Sequence, residues 1–220
     1  MDDNSKGGSA LLERPTTGKN LVNDSVKKTK RYRMVLRGVT ALLTDPMSDD
    51  TLNALRTGEK VQIDKQRSLS DICKTKLYLD DAGEITMPTA NMLAALNYAG
   101  KFFKYDRMKS LATGTTSLIP SFLRIEGEFL KFTHEGWKPD QRRGRLDNGT
   151  AVSVVRPKFK TWSVELTFQL DDSEPIKIET VVPLFAKAGK ASGLGSFRPS
   201  CKGAFGQFDV ESCYEISLED

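Results

Sequence analysis

Residues 161–170 (TWSVELTFQL) alternate apolar Trp162, Val164, Leu166 and Phe168 with polar neighbours. A period of two sends successive side chains to opposite faces of a strand, so this segment predicts a strand with one face in a core and the other in water. A sheet built this way needs its helices on one side only. Residues 86–105 (TMPTANMLAALNYAGKFFKY) give the clearest helix. Met92, Leu93, Leu96, Ala99, Phe102 and Phe103 recur at three- and four-residue spacing and predict one apolar face against a core. Pro88 suits the first helical position, and Lys101 and Lys104 suit the negative end of the dipole.

The rest of the chain supplies the partners. Residues 32–43 (YRMVLRGVTALL) predict a strand, and 44–71 a polar excursion opened by Asp45 and Pro46, with a helical turn near 51–55. Residues 76–79 predict a short strand, and 121–132 two short strands hinged at Gly127. Residues 134–149, rich in Gly, Pro, Asp and Arg, predict a loop. Residues 151–155 predict a strand joined to 161–170 through RPKFK, a hairpin with a basic tip. A helix is expected from Thr180, with Pro183 early and Gly189 ending it, and a closing strand within 205–218. Without the excursions the order is βαββαβ. This predicts an α+β, ferredoxin-like antiparallel sheet with both helices on one face, the other face open, and long insertions at about 44–75 and 106–150. Residues 30–220 form the single domain, and 1–29 a disordered or loosely attached basic arm.

Composition narrows the function. The chain has 220 residues, a net charge of +4, and no apolar run near the ~20 residues of a membrane span. Its first twenty residues lack the basic start and apolar centre of a signal peptide. Cys73, Cys201 and Cys213 are widely spaced and unpaired in pattern, which argues for a reducing cytoplasm and against a disulfide framework or zinc cage. With His134 as its one histidine, the chain has few routes to histidine catalysis, and no cofactor is expected.

The charge is segregated. Lys27, Lys28, Lys30, Arg31, Arg33 and Arg37 form one cluster; Arg142, Arg143, Arg145, Arg156, Lys158 and Lys160 form a second. Between Glu179 and Asp209 there is no acid, while Lys187, Lys190, Arg198 and Lys202 appear. Within that stretch lies GLGSFRPSCKGAFG (193–206), four glycines with two cations and two phenylalanines. Glycine lets a backbone approach a ligand closely, and successive N–H groups can form an anion-binding concavity. Gly193, Gly195 and Gly203 with Arg198 and Lys202 are therefore candidates for phosphate contact, and Phe197 and Phe205 for base stacking. Arg156, Lys158 and Lys160 beside Phe159 and Trp162 have the mixture of a single-strand groove; Arg142, Arg143 and Arg145 could clamp a backbone. The competing reading is structural: glycines that only turn the chain, phenylalanines that anchor the loop, Trp162 in the core.

A βαββαβ core with a glycine-rich loop between its last helix and last strand resembles the RAMP superfamily, the repeat-associated proteins of CRISPR systems. The resemblance implies a loop that helps hold RNA, a thumb inserted after the first strand, and a role as a backbone subunit of a ribonucleoprotein complex. The stretches PTANMLAAL (88–96), RPKFKTW (156–162), and Gly189 with GLGSFRP (193–199) and GAFGQF (203–208) are also similar to an uncharacterised family of phage and prophage proteins, over about residues 32–210.

The function expected from all this is non-catalytic binding of single-stranded nucleic acid, RNA before DNA, with possible assembly of copies along the strand or with other ribonucleoprotein subunits. The alternative is a phage or prophage protein-interaction subunit. A metal-dependent ribonuclease is the third reading; it would rest on Asp45, Asp49 and Asp50, on Asp80 and Asp81, or on His134, but Asp-Pro and Asp-Asp pairs are common turn chemistry.

Overall fold

The computed structural model describes residues 29–59, 67–105, 109–145, 148–171 and 175–217. Its elements run β1 (Thr29–Gly38), β2 (Leu42–Leu43), α1 (Asp49–Thr57), α2 (Leu69–Lys74), β3 (Met87–Pro88), α3 (Thr89–Gly100), α4 (Ile119–Phe122), β4 (Leu123–Ile125), β5 (Phe129–His134), β6 (Lys138–Arg145), β7 (Ala151–Phe159), β8 (Trp162–Asp171), α5 (Ile178–Lys187) and β9 (Phe208–Ile216). The main sheet has the order β3-β5-β8-β1-β9, with β4 also on β8, and all its pairs are antiparallel. Taking β1, β4/β5, β8 and β9 as the four core strands, the spatial order is fourth, first, third, second. That is the ferredoxin-like α+β arrangement. The expected arm, 1–28, lies outside the described residues.

The alternation of β8 decides the layering. Trp162, Val164, Leu166, Phe168 and Leu170 are all buried. They meet Tyr32, Met34 and Leu36 of β1, which face the same way in register (Tyr32 opposite Phe168, Met34 opposite Leu166, Leu36 opposite Val164). Met92, Ala95, Leu96 and Ala99 of α3 and Val181, Leu184 and Phe185 of α5 close this side in one continuous core. Phe168 stacks on Tyr32 and tilts against Phe185, at centroid distances of 5.4 and 5.6 Å. Trp162 is a core residue, donating its indole N–H to the Thr40 carbonyl at 2.8 Å.

The opposite face of the sheet is charged and internally paired. Arg31 reaches Glu126 in a fork (2.8 to 3.1 Å), Arg37 meets Glu211 at 2.8 Å, and Arg33 and Lys131 share Glu165. Arg31, Arg33 and Arg37 of the first basic cluster therefore lie on a face with its own counter-ions, which corrects the expectation that this face is free to bind; Lys27 and Lys28 lie outside the described residues. The Arg31 guanidinium, with Gln169 beside it, holds the Glu126 carboxyl below its ordinary value of 4.5. A depressed folded value means the stabilisation is present above the unfolded pKa and lost as pH falls through the lowered one. Glu126→Gln should therefore cost about 1 kcal/mol at neutral pH and flatten the loss of stability below about pH 4.5, as read by thermal melts across that range.

Several boundaries differ from expectation. The predicted strand 32–43 is two strands in two sheets: after Gly38 the chain turns, Val39 and Thr40 donate to the Gln207 carbonyl, and β2 pairs with β7. Helix α3 stops at Gly100, Pro88 is its N-cap residue, and Phe102 is exposed rather than core. Residues 76–79 contribute only a bridge, Leu79 to Ile85. Gly189 does not end the last helix; a π turn over Ala188–Ser192 carries on to Gly193. The largest correction is at 134–161. Residues 138–145 are strand β6, and β7 pairs with β6 and β2 in a separate three-stranded sheet, not with β8. Arg156 and Lys158 thus sit within a strand instead of at a hairpin tip. Among the described residues no helix is long and apolar enough to cross a membrane.

Candidate nucleic-acid interface

The glycine loop is positioned by the jump of the chain from β1 to β2. Ser196 donates to the Leu43 carbonyl (2.7 Å) and Gly206 to that of Ala41 (2.8 Å), so both ends of the loop are fastened to the chain around β2. Since Leu43 pairs with Lys158 of β7, this fastening lays the loop against the second sheet. The loop is also laced internally: Leu194 donates to Gly206, Phe205 to Phe197 and Gly203 to Arg198, at 2.8 to 3.1 Å. A side chain at Gly203 would put a Cβ 1.7 Å from the Phe197 carbonyl oxygen, and one at Gly195, where φ is +70°, would meet the Leu43 carbonyl at 2.2 Å. These two glycines thus admit the protein's own backbone. Gly193, buried with φ +68°, leads the chain out of the π turn.

What the loop presents is made by other atoms. Among the described residues the backbone N–H groups of Gly195, Phe197 and Arg198 have no acceptor. Phe197 and Lys202 hold the left-handed conformation (φ +53° and +60°) without being glycine, a strain that closed packing must sustain. Lys202 and the Phe197 ring are exposed. Arg198 is extended before Pro199 (φ −78°, ψ 165°), as proline requires. Its guanidinium folds back, donating to the Gly195 carbonyl at 2.8 Å and to the Ser200 hydroxyl at 2.9 Å, so Arg198 braces the loop as well as lining it.

Register on the second sheet sorts the predicted cations. Lys138 faces Lys158, Asp140 faces Arg156 and Arg142 faces Val154, which puts Lys138, Asp140, Arg142, Arg156 and Lys158 on one face. The two loop phenylalanines lie under this face. The Arg156 guanidinium is 5.0 Å from the Phe197 ring centroid, that of Arg142 4.6 Å from Phe205, and the Lys158 ammonium 5.8 Å from Phe205. Arg143 belongs to the opposite face, in register with Ser153. Arg145 ends β6, and its side chain lies outside the described residues. Lys160 is exposed in the turn before β8, beyond the phenylalanine contacts.

Two carboxylates are built into the same surface. Asp45 lies between Arg156 and Lys76, the latter at 2.9 Å. Asp140 grips Arg142 and approaches Lys158 at 3.9 Å. The hydrogen bond with Asp140 pushes the Arg142 guanidinium pKa up, and the same bond, with nearby Lys158 and Arg156, holds the Asp140 carboxyl below its usual range. A 330 Å³ cavity opens beside them, lined by Asp45, Tyr78, Arg156, Phe197 and Arg198 among others.

The hydrolytic candidates do not assemble. Asp45 is a counter-ion, as described; the Asp49 side chain lies outside the described residues. Asp80 accepts from the N–H groups of Ala82 and Glu84 in its own turn. His134 packs on Phe132 and Phe159, accepts the Gly136 N–H at 2.9 Å, and has its pKa lowered by burial. Among the described residues no three His, Cys, Asp or Glu side chains are grouped to hold a metal ion.

Sequence reasoning missed Lys138, Asp140, Lys76 and Tyr78. Recognising β6 as a strand would have brought in Lys138 and Asp140 by parity with Arg142; nothing local marks Lys76 or Tyr78.

No family model and no curated protein sequence matches the chain. Among solved structures it is similar to a chain described as "Cryo-EM structure of the Type III-B Cmr-beta bound to cognate target RNA", with a TM-score of 0.42 and 12% identity over 88% of this chain and 63% of that one. The chain thus spans less than two thirds of the length of that neighbour.

Proposed function

We propose that the protein binds single-stranded nucleic acid without cutting it, along the cleft between the glycine loop and the cationic face of β6 and β7. One observation carries the reading: two segments about forty residues apart, each holding cations beside aromatic rings, meet in one surface. Arg142, Arg156, Lys158, Lys138, Arg198 and Lys202 outnumber Asp45 and Asp140 there, so a polyanion gains charge neutralisation, while Phe197 offers an exposed ring to a base. The N–H groups of Gly195, Phe197 and Arg198, unclaimed by any described residue, supply phosphate donors. The resemblance of the sequence to the RAMP superfamily favours RNA over DNA and a repeating subunit of a ribonucleoprotein complex.

Fluorescence anisotropy with a single-stranded homopolymer tests the proposal. The logarithm of the affinity should fall linearly with that of salt concentration, by roughly 0.7 for each phosphate neutralised. Arg198→Ala with Lys202→Ala should weaken binding by about tenfold and lower that slope by about 1.4. Absent or salt-insensitive binding, with co-purification of an acidic protein instead, would favour the protein-interaction reading.

A further inference from the structure

Resting on that reading, the geometry points to a second segment of the same binding path: we infer that the strand leaves the loop along α3 and is held at its far end by Tyr98, Phe102, Lys101 and Lys187. Three observations support this route. The first is continuity. A small cavity of 50 Å³ joins the loop to α3, lined on one side by Gly193, Gly195 and Arg198 and on the other by Asn91, Ala94 and Ala95. At 3.6 residues per turn, Asn91 and Tyr98 fall two turns apart on one stripe of the helix that starts at this cavity, and Phe102 follows just past the helix end. From Asn91 to Tyr98 the stripe is ~10 Å long, at 1.5 Å per residue.

The second is composition. Residues 89–105 contain no acid. Phe102 is 57% exposed, just beyond the end of α3, although a ring of that size ordinarily seeks a core. Tyr98 lies 6.0 Å from it, half-buried.

The third is that the aromatic–cation pairing of the loop cleft recurs here. The Lys187 ammonium is 4.7 Å from the Phe102 ring and that of Lys101 is 5.1 Å from Tyr98. Neither lysine has a carboxylate partner among the described residues. Lys190, three residues further on, does have one, Asp209 at 3.7 Å. Rings with a flat face and mobile ammonium groups beside them suit stacked bases and phosphates without reading sequence. An acidic protein would also meet the lysines, but it gives no reason for two rings in line with the loop cavity.

Oligonucleotide length separates this inference from the one beneath it. A homopolymer of about four nucleotides should fill the loop cleft alone, and one of about ten should also cover α3. Tyr98→Ala with Phe102→Ala should weaken the long oligomer at least fivefold and leave the short one unchanged; Phe102→Trp should retain long-oligomer affinity. Lys101→Gln with Lys187→Gln should lower the salt slope of the long oligomer by about 1.4. Thermal melts guard against misfolding, and photocrosslinking of a thiouridine oligomer to the wild type should label the peptide carrying Tyr98 and Phe102. Binding that depends on Arg198 and Lys202 but is indifferent to Tyr98, Phe102, Lys101 and Lys187 overturns the inference and leaves the loop site standing. Failure of the wild type to bind either oligomer overturns both. An effect of the α3 variants on an acidic protein partner, with oligonucleotides unaffected, assigns the stripe to that partner and overturns it too.

Discussion

Gly189→Ala should destabilise the protein by at least about 3 kcal/mol, lowering the melting temperature by roughly 6–12 °C for a chain of this size. Helix propensity alone predicts the opposite sign, since alanine in a helical turn is favoured over glycine by about 1 kcal/mol. Gly189 has no positive φ that would oppose the change. Space decides. A Cβ at this position would stand 1.8 Å from the carbonyl oxygen of Phe208 and 2.8 Å from its ring. Neither neighbour can yield cheaply, because Phe208 is fully buried at the start of β9 and paired with Gly38 of β1. The π turn must move away from β9 or β9 must leave β1. Either movement drags Gln207 and Gly206, whose bonds to Thr40, Ala41 and Val39 set the loop in place, so nucleic-acid binding should fall together with stability. Urea and thermal unfolding measure the first effect. A variant as stable as the wild type would show that the helix and β9 do not meet here.

The core was legible in the sequence because its signals are periodic. The alternation of β8 and the spacing of Met92, Leu96 and Ala99 depend only on which side of an element faces apolar neighbours, and they gave the right layers. The second sheet was hidden for a physical reason. Strand β6 reads KPDQRRGR, with no apolar alternation, a proline and a glycine, which is the composition of a loop. It is a strand because β7 supplies the pairing and because it lies at an edge, where cations and proline are tolerated. Pro157 misled in the same way. It looked like the turn of a hairpin, whereas it sits across from Pro139 within the ladder and uses its carbonyl to accept from Thr44. Once the pairing is known, the candidate cations sort themselves: Arg142 joins Arg156 and Lys158, and Arg143 turns away. The loop was correctly located, but the sequence could not show that its glycines are occupied by Leu43 and Phe197, since both contacts depend on where distant carbonyls lie.

Asp45 and Arg156 should give effects of opposite sign on nucleic-acid affinity. The Arg156 side chain is only 13% exposed, with its guanidinium over Phe197 and its Nε on Asp45. Arg156→Ala removes a phosphate donor and leaves Asp45 facing the ligand with Lys76 as its remaining partner, so affinity should drop by about thirtyfold, within the range for one charge-assisted contact. Asp45→Asn keeps the shape, can still accept a hydrogen bond, and removes a negative charge from the path of a polyanion. It should tighten binding roughly three- to tenfold at low salt, and the gain should shrink as salt screens the site. The double variant should bind more tightly than Arg156→Ala alone, because it also removes the carboxylate that the single variant leaves facing the ligand. Titrations of the four proteins with one oligonucleotide complete the cycle. If Asp45→Asn instead weakens binding, the carboxylate is holding Arg156 over Phe197 in the pose the ligand needs, and the pair acts as a fixed support rather than as a competitor for phosphate.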